Sequence, residues 1–163
     1  MNHADVAVVL RGGMMCSLYQ LQVLVVIFSL LSSVASRHCG NGWEHKNGRC
    51  YKFVRFRTNF VGSMYFCRYF GGGLVEIDGY NEYQTVVSLA RARNFPDFYI
   101  GLTDAFSEGN WIQASSYNFQ TYFSWSPGEP NNHGNQDCVQ VYSADLKMDD
   151  LSCSEHMHFV CEK

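Results

Sequence analysis

The chain has no surplus of basic residues. Twelve Lys and Arg face fifteen Asp and Glu, a formal net charge of −3, so the cationic footprint of a nucleic-acid-binding protein is missing and nucleic acid is excluded as a partner. No serine sits in a Gly-x-Ser-x-Gly elbow, which removes one common hydrolase signature. No two cysteines stand at the two-to-four-residue spacing of a zinc knuckle, and structural zinc is set aside. Asn-x-Ser/Thr acceptors are absent, so the chain offers no N-glycosylation site. It also lacks repeats, low-complexity tracts, and collagen-like or coiled-coil segments; an oligomer is left open, but no visible segment encodes one. At 163 residues there is room for one ordinary domain and a targeting segment.

What is present begins with an apolar leader. Arg11 precedes a run from Leu21 through Leu31, and small residues follow at Ser32, Ser33, Ala35 and Ser36. That order of charge, apolar run and small residues reads as a secretory signal peptide over residues 1–36, cut after Ala35 or Ser36, with Met14 or Met15 as alternative starts. The rival reading is a retained anchor from Met14 to Ala35. Its run is short and no stalk separates it from Cys39, so cleavage, secretion and no stable membrane insertion are expected. Loss of the leader removes Cys16 and leaves Cys39, Cys50, Cys67, Cys138, Cys153 and Cys161. An even set in an exported chain argues for three disulfides.

Residues 37–163 read as one continuous α+β domain. A strand over 49–57 ends at Thr58 or Asn59, either of which can cap a helix carrying Phe60, Met64 and Cys67 on one face. Gly71, Gly72 and Gly73 stop it. A short strand over 74–77 precedes a second helix with Tyr83, Val86, Val87 and Ala90 at core spacing, and Pro96 blocks its continuation. A buried strand follows over 98–102, and closing strands are expected over 138–142 and 158–162. Between them runs a polar stretch, about 103–137, rich in aromatics such as Trp111, Tyr122 and Trp125. So long a loop in a compact domain is usually functional. The basic residues Lys52, Arg55 and Arg57 alternate with apolar ones and read as a solvated strand edge.

From Cys39 onward the chain resembles the C-type lectin domain family. The residues that carry the likeness are Gly42-Trp43, Gly48, Cys50-Tyr51, Gly73-Leu74-Val75, Glu82, Tyr99-Ile100-Gly101-Leu102, Asp104, Gly109, Trp111, Trp125, Gly128-Glu129-Pro130-Asn131-Asn132, Asp137-Cys138, Asp149-Asp150, Cys153 and Cys161-Glu162-Lys163. The resemblance implies the long form of that fold: two helices flanking small antiparallel sheets, a long calcium-binding loop, and bridges Cys39–Cys50, Cys67–Cys161 and Cys138–Cys153. It also implies a sugar-binding Ca2+ held by Glu129, Asn131, Gln136, Asp149 and Asp150, with Pro130 in a cis peptide. An auxiliary Ca2+ site is implied at Asp104, Glu108, Asn132 and Asp137. Calcium suits such sets because it takes six to eight oxygens and needs only modest affinity outside the cell.

Two vicinal hydroxyls can each give a lone pair to calcium, donate to a carboxylate and accept from a carboxamide. The carbohydrate-binding residues are therefore expected to be Glu129, Asn131, Gln136 and Asp149, with His133 packing beside the ring. The usual family pattern has glutamate at 136 and Trp-Asn at 148–149; here Gln136 and Met148-Asp149 stand instead. The second acid and amide have exchanged places with the negative charge preserved. Glu-Pro-Asn implies mannose, N-acetylglucosamine or fucose, and the crossed second pair leaves galactose open. The expected function is calcium-dependent lectin binding, of the kind used in innate defence, without enzymatic activity. A glycosidase also pairs carboxylates, but here all three serve as metal ligands and make poor general acids. The weightier alternative is a lectin-like protein-binding or biomineral-associated module that has lost its sugar.

Overall fold

The computed structural model describes residues 39–163 continuously, together with residues 8–9, 15–16 and 22–23. Contacts divide the chain into two units, Met1–Cys39 and Gly40–Lys163. In the first, strands β1 (Val8–Val9) and β2 (Met15–Cys16) pair antiparallel. The cleavage point expected at residues 35–36, and nearly all of the leader's apolar run, lie outside the described residues. Among the described residues no helix is long and apolar enough to cross a membrane.

The second unit opens on a hairpin of β3 (Glu44–Lys46) and β4 (Arg49–Thr58). Its two-residue turn is Asn47-Gly48, both with positive φ, the backbone that a primed hairpin turn demands. Asn59 then caps α1 (Phe60–Tyr69), its side-chain oxygen accepting from the Gly62 N–H at 2.9 Å. Gly71, at φ +86°, ends the helix while the Gly72 N–H returns to the Cys67 carbonyl. Strand β5 is only Gly73–Leu74, shorter than the expected 74–77. Val75 still donates its N–H to the Val160 carbonyl at 2.8 Å, but its own carbonyl accepts from the Gly101 N–H, so the chain crosses toward the next strand and the pair goes no further. Helix α2 (Tyr80–Ala92) buries Tyr83, Val86, Val87 and Ala90, the face read from spacing.

Strands β6 (Phe98–Thr103), β7 (Ile112–Gln113), β8 (Cys138–Val141), β9 (Met148–Leu151) and β10 (Met157–Glu162) complete the unit. They join one sheet in the order β3-β4-β10-β6-β8-β9, with β5 on β10 and β7 on β6. The pairs are antiparallel except β10 with β6, which run parallel in the register His158↔Phe98 and Phe159↔Tyr99. The last strand has entered the middle of the sheet, between β4 and β6. Side chains on these central strands alternate between two cores, as a period of two requires. Phe98, Ile100, Leu102, Val139, Val141 and Val160 pack with α2, Trp111 and Met148; Tyr99, Phe159 and Cys161 pack with α1, Val54 and Leu74.

Bridges Cys67–Cys161 and Cys138–Cys153 are formed, and Cys39 and Cys50 are each disulfide-bonded as well. Arg49 holds three acids, Asp78 from the loop before α2, Glu82 from α2 at 2.7 Å and Glu162 from β10 at 3.0 Å. Glu162 is pushed up to about 7, chiefly by burial and then by the Glu82 charge, against the Glu76 N–H and Arg49. The folded state therefore holds its proton more tightly than the unfolded one. Stability from this group is complete below the ordinary carboxylate range and is lost as pH climbs toward 7, on the order of 3 kcal/mol in all. Urea unfolding at pH 5 and pH 8 should show that fall, and Glu162→Gln, which keeps an acceptor for the Glu76 N–H, should flatten it. An equal slope in both proteins contradicts the assignment.

Candidate metal and ligand site

Three chain segments meet at one end of β9. Strands β8 and β9 pair in the register Val139↔Asp150 and Gln140↔Asp149, which fixes both acids in a buried ladder. The Cys138–Cys153 bridge ties the ends of that hairpin. On the outer edge of β9, the Met148 N–H donates to the Ser124 carbonyl and the Ser126 N–H to the Met148 carbonyl, each at 2.8 Å. This added edge carries the chain into a turn, closed by Glu129 N–H to the Ser126 carbonyl, that delivers Glu129 over the strand. The Glu129–Pro130 peptide is cis, as the resemblance implies.

Carboxylate oxygens of Glu129, Asp149 and Asp150 lie within 4.8 Å of one another. Asn131 donates its amide to Glu129 at 2.6 Å. Asp150, fully buried, accepts the backbone N–H of Asn131 at 2.9 Å on one oxygen and that of Asn132 at 2.7 Å on the other. The loop is closed further on, where the Gln136 N–H donates to the Asn132 side chain at 2.7 Å. Gln136 has both ends of its amide engaged by backbone: its nitrogen donates to the Asp150 carbonyl, and its oxygen accepts from the His133 N–H, each at 2.7 Å. That same N–H lies 2.8 Å from the Asn131 side-chain oxygen. His133 is exposed, and it is its backbone that helps set the loop.

The auxiliary set gathers beside this loop. Asp104 is buried; one oxygen accepts the Gly109 N–H at 2.8 Å and the other has no partner. Its carboxyl is raised by burial and by the charges of Asp137 and Asp150. Glu108 is raised first by desolvation, then by Asp104 and Asp137, while a hydrogen bond with Asn132 opposes the shift. Asp137 accepts from Asn135 at 2.6 Å. Yet among the described residues Glu129, Asp149 and Asp150 form the one acid group tight enough to offer a shared ion position.

Negative charge here is uncompensated. Among the described residues the ion pairs are made by Arg49 and Arg93, with Asp78, Glu82, Glu162 and Glu44, and none reaches these acids. Glu129 is raised accordingly, by desolvation first, then by a hydrogen bond with Asp150 and by the Asp149 charge. Hard oxygens, an orphaned buried acceptor and unpaired charge are the donor chemistry that suits calcium.

The lectin C-type domain model matches residues 56–163. The chain belongs to the C-type lectin domain family. A hepatic lectin of Gallus gallus is 36% identical over 74% of this chain and 58% of its own length. A C-type lectin mannose-binding isoform of Oxyuranus scutellatus is 32% identical over 89% of this chain and 95% of its own. The mouse scavenger receptor C-type lectin carbohydrate-recognition domain superposes with a TM-score of 0.70, at 29% identity, over 77% of this chain and 95% of that one. The chain thus spans little more than half of the hepatic lectin.

Within this C-type lectin domain, Glu129, Asn131, Gln136 and Asp150 are joined by hydrogen bonds around the loop over β9, with Asp149 beside them, while two neighbours were not read at all. Gln140, buried in β8, donates its amide to Asp149 at 2.8 Å. Tyr142 is the second; its phenol is pushed up to about 12, first by desolvation, then by interaction with the Asp149 carboxylate and by the charges of Glu129 and Asp97. A glutamine inside the apolar run Cys-Val-Gln-Val was the one available signal for the first. Nothing in the sequence marks Tyr142.

Proposed function

We propose that this C-type lectin domain is a secreted, calcium-dependent carbohydrate-binding module that grips a vicinal diol, and that it is not an enzyme. The observation that carries the reading is the cluster of Glu129, Asp149 and Asp150, without a cationic partner, beside the Glu129–Asn131 pair. Glu129, Asn131, Gln136, Asp149 and Asp150 would hold the calcium, which when bound supplies positive charge and open coordination for two hydroxyl oxygens. Around it, Glu129 and Asp149 accept hydroxyl protons and Asn131 donates to a hydroxyl lone pair. The Glu129–Asn131 bond holds that acid and amide side by side beforehand. Asp104, Glu108, Asn132 and Asp137 would serve an auxiliary calcium, and His133 would lie beside the sugar ring.

Glu-Pro-Asn order at the first pair favours mannose, fucose or N-acetylglucosamine, with galactose next. One relative is named as mannose-binding. The leader and the even set of disulfide-bonded cysteines support secretion. Passing the protein over immobilised mannose, fucose and galactose, with and without a chelator, tests the reading. Retention on mannose that the chelator abolishes is the expected result, with no free sugar released from labelled glycans. Chelator-insensitive retention, or none, favours a lectin-like module without sugar binding. One observation speaks for that second reading: the Gln136 amide is engaged at both ends by backbone, which leaves it one lone pair and one N–H for ion or sugar.

A further inference from the structure

Gln140 sits directly opposite Asp149 in the β8–β9 ladder, buried, and its amide nitrogen donates to the Asp149 carboxylate at 2.8 Å. Its own amide oxygen is buried without a partner. A carboxylate can only accept, so whichever way the amide is turned, one end alone can bond to Asp149. An orphaned buried acceptor is a cost that folding by itself does not require.

The substitution Asp149→Asn removes the conflict. Two facing carboxamides exchange two hydrogen bonds, each donating once and accepting once, and the Gln140 oxygen is then satisfied. The ion-free fold alone would therefore favour a carboxamide opposite Gln140, yet the chain carries an acid there. We infer that Gln140 is a positioning residue that keeps Asp149 a fixed, acceptor-only carboxylate, held by its buried oxygen so that the group is presented to the ion and to the second sugar hydroxyl. Gln140 touches neither ligand and acts through Asp149. The consequence is a division of labour in the second pair. Gln136 keeps one lone pair and one N–H beyond its backbone bonds and can serve either way, so Asp149, which only accepts, sets hydrogen-bond polarity at the second hydroxyl and takes only ligands that donate there. This inference rests on the calcium-lectin reading for its ligand, but the hydrogen-bond conflict between Gln140 and Asp149 stands without it.

The test uses the full chain and five proteins: unaltered, Asp149→Asn, Gln140→Leu, the double variant of these two, and Gln140→Asn. In chelator, Asp149→Asn should melt about 3 °C or more above the unaltered protein, because the orphan is satisfied and a buried charge is gone. Gln140→Leu, which strips Asp149 of its buried donor, should melt lower. Adding Asp149→Asn to Gln140→Leu should raise the melting temperature by more than the same substitution raises that of the unaltered protein, since a buried carboxylate stripped of its donor gains more from losing its charge. With calcium titrated by calorimetry, Gln140→Leu should bind the ion about tenfold or more weakly. Gln140→Asn, which can still donate, should restore part of that affinity, a rescue that a merely space-filling role does not give.

Equal ion-free melting of Gln140→Leu and unaltered protein, or additive effects of the two substitutions, overturns the inference. If the unaltered protein takes up no calcium, the lectin reading fails while the melting temperatures of the first four proteins still decide whether Gln140 and Asp149 are coupled.

Discussion

Asp150→Ala is expected to collapse the ligand loop and to weaken calcium binding at least a hundredfold, with the rest of the domain still folded. Both oxygens of Asp150 accept backbone N–H groups, from Asn131 and Asn132, and its carbonyl accepts from Gln136. Hydrogen bonds to a charged group contribute about 1.5–3 kcal/mol each, so alanine removes two strong anchors as well as one anionic ligand. Residues 129–136 make few other buried contacts, since most of that loop is exposed. Hydrogen exchange should accelerate at the Asn131 and Asn132 amides while the amides of β6 keep their protection. Asp150→Asn keeps one acceptor and should fall between the two. Unchanged exchange at Asn131 and Asn132 in Asp150→Ala is the result that rules out Asp150 as the anchor.

The largest global effect should follow from Cys67→Ala with Cys161→Ala. This bridge links α1 to the central strand β10 across a sequence separation of 94 residues. On the chain-entropy model such a loop is worth about 4–5 kcal/mol, about a third or more of the total stability of an ordinary domain. The two sulfurs lie in the core cluster with Phe159, Tyr99 and Phe60, so alanines also leave a void there. Urea unfolding should show a midpoint shift of that size, with the folded fraction binding calcium as before. Removing Cys138–Cys153, a separation of 15 residues, should cost less, about 3 kcal/mol, but should loosen the β8–β9 hairpin under the site and weaken ion binding. If both pairs weaken ion binding alike, the bridges do not divide the work this way.

Much of the scaffold could be read from local order. Both helices lie where 3.6-residue spacing put them, because each needs only its own apolar stripe and its own end signals: Asn59 and Gly71 for α1, Pro96 beyond α2. Strand β6 was legible as a continuous buried run for the same reason. Strand β9 was not read as a strand. Its core is Asp149-Asp150, residues that strands disfavour and that burial penalises unless partners are supplied. Those partners come from Gln140 and from the Asn131 and Asn132 backbone, none of them sequence neighbours. The parallel pairing of β10 with β6, and the early end of β5, likewise depend on what arrives from elsewhere in the chain.

The sequence by itself determined the family, the cysteine set, the faces of the helices and the roster of oxygen-bearing residues, because each is written in residue type and short-range spacing. Only the tertiary structure decided how those oxygens are shared. It gathers Glu129, Asp149 and Asp150 into one tight group, binds Gln136 to backbone at both ends, and sets Gln140 behind Asp149. The physical reason is that a buried polar group must find its hydrogen-bond partner in space, and here the partners lie on segments that only the folded sheet brings together.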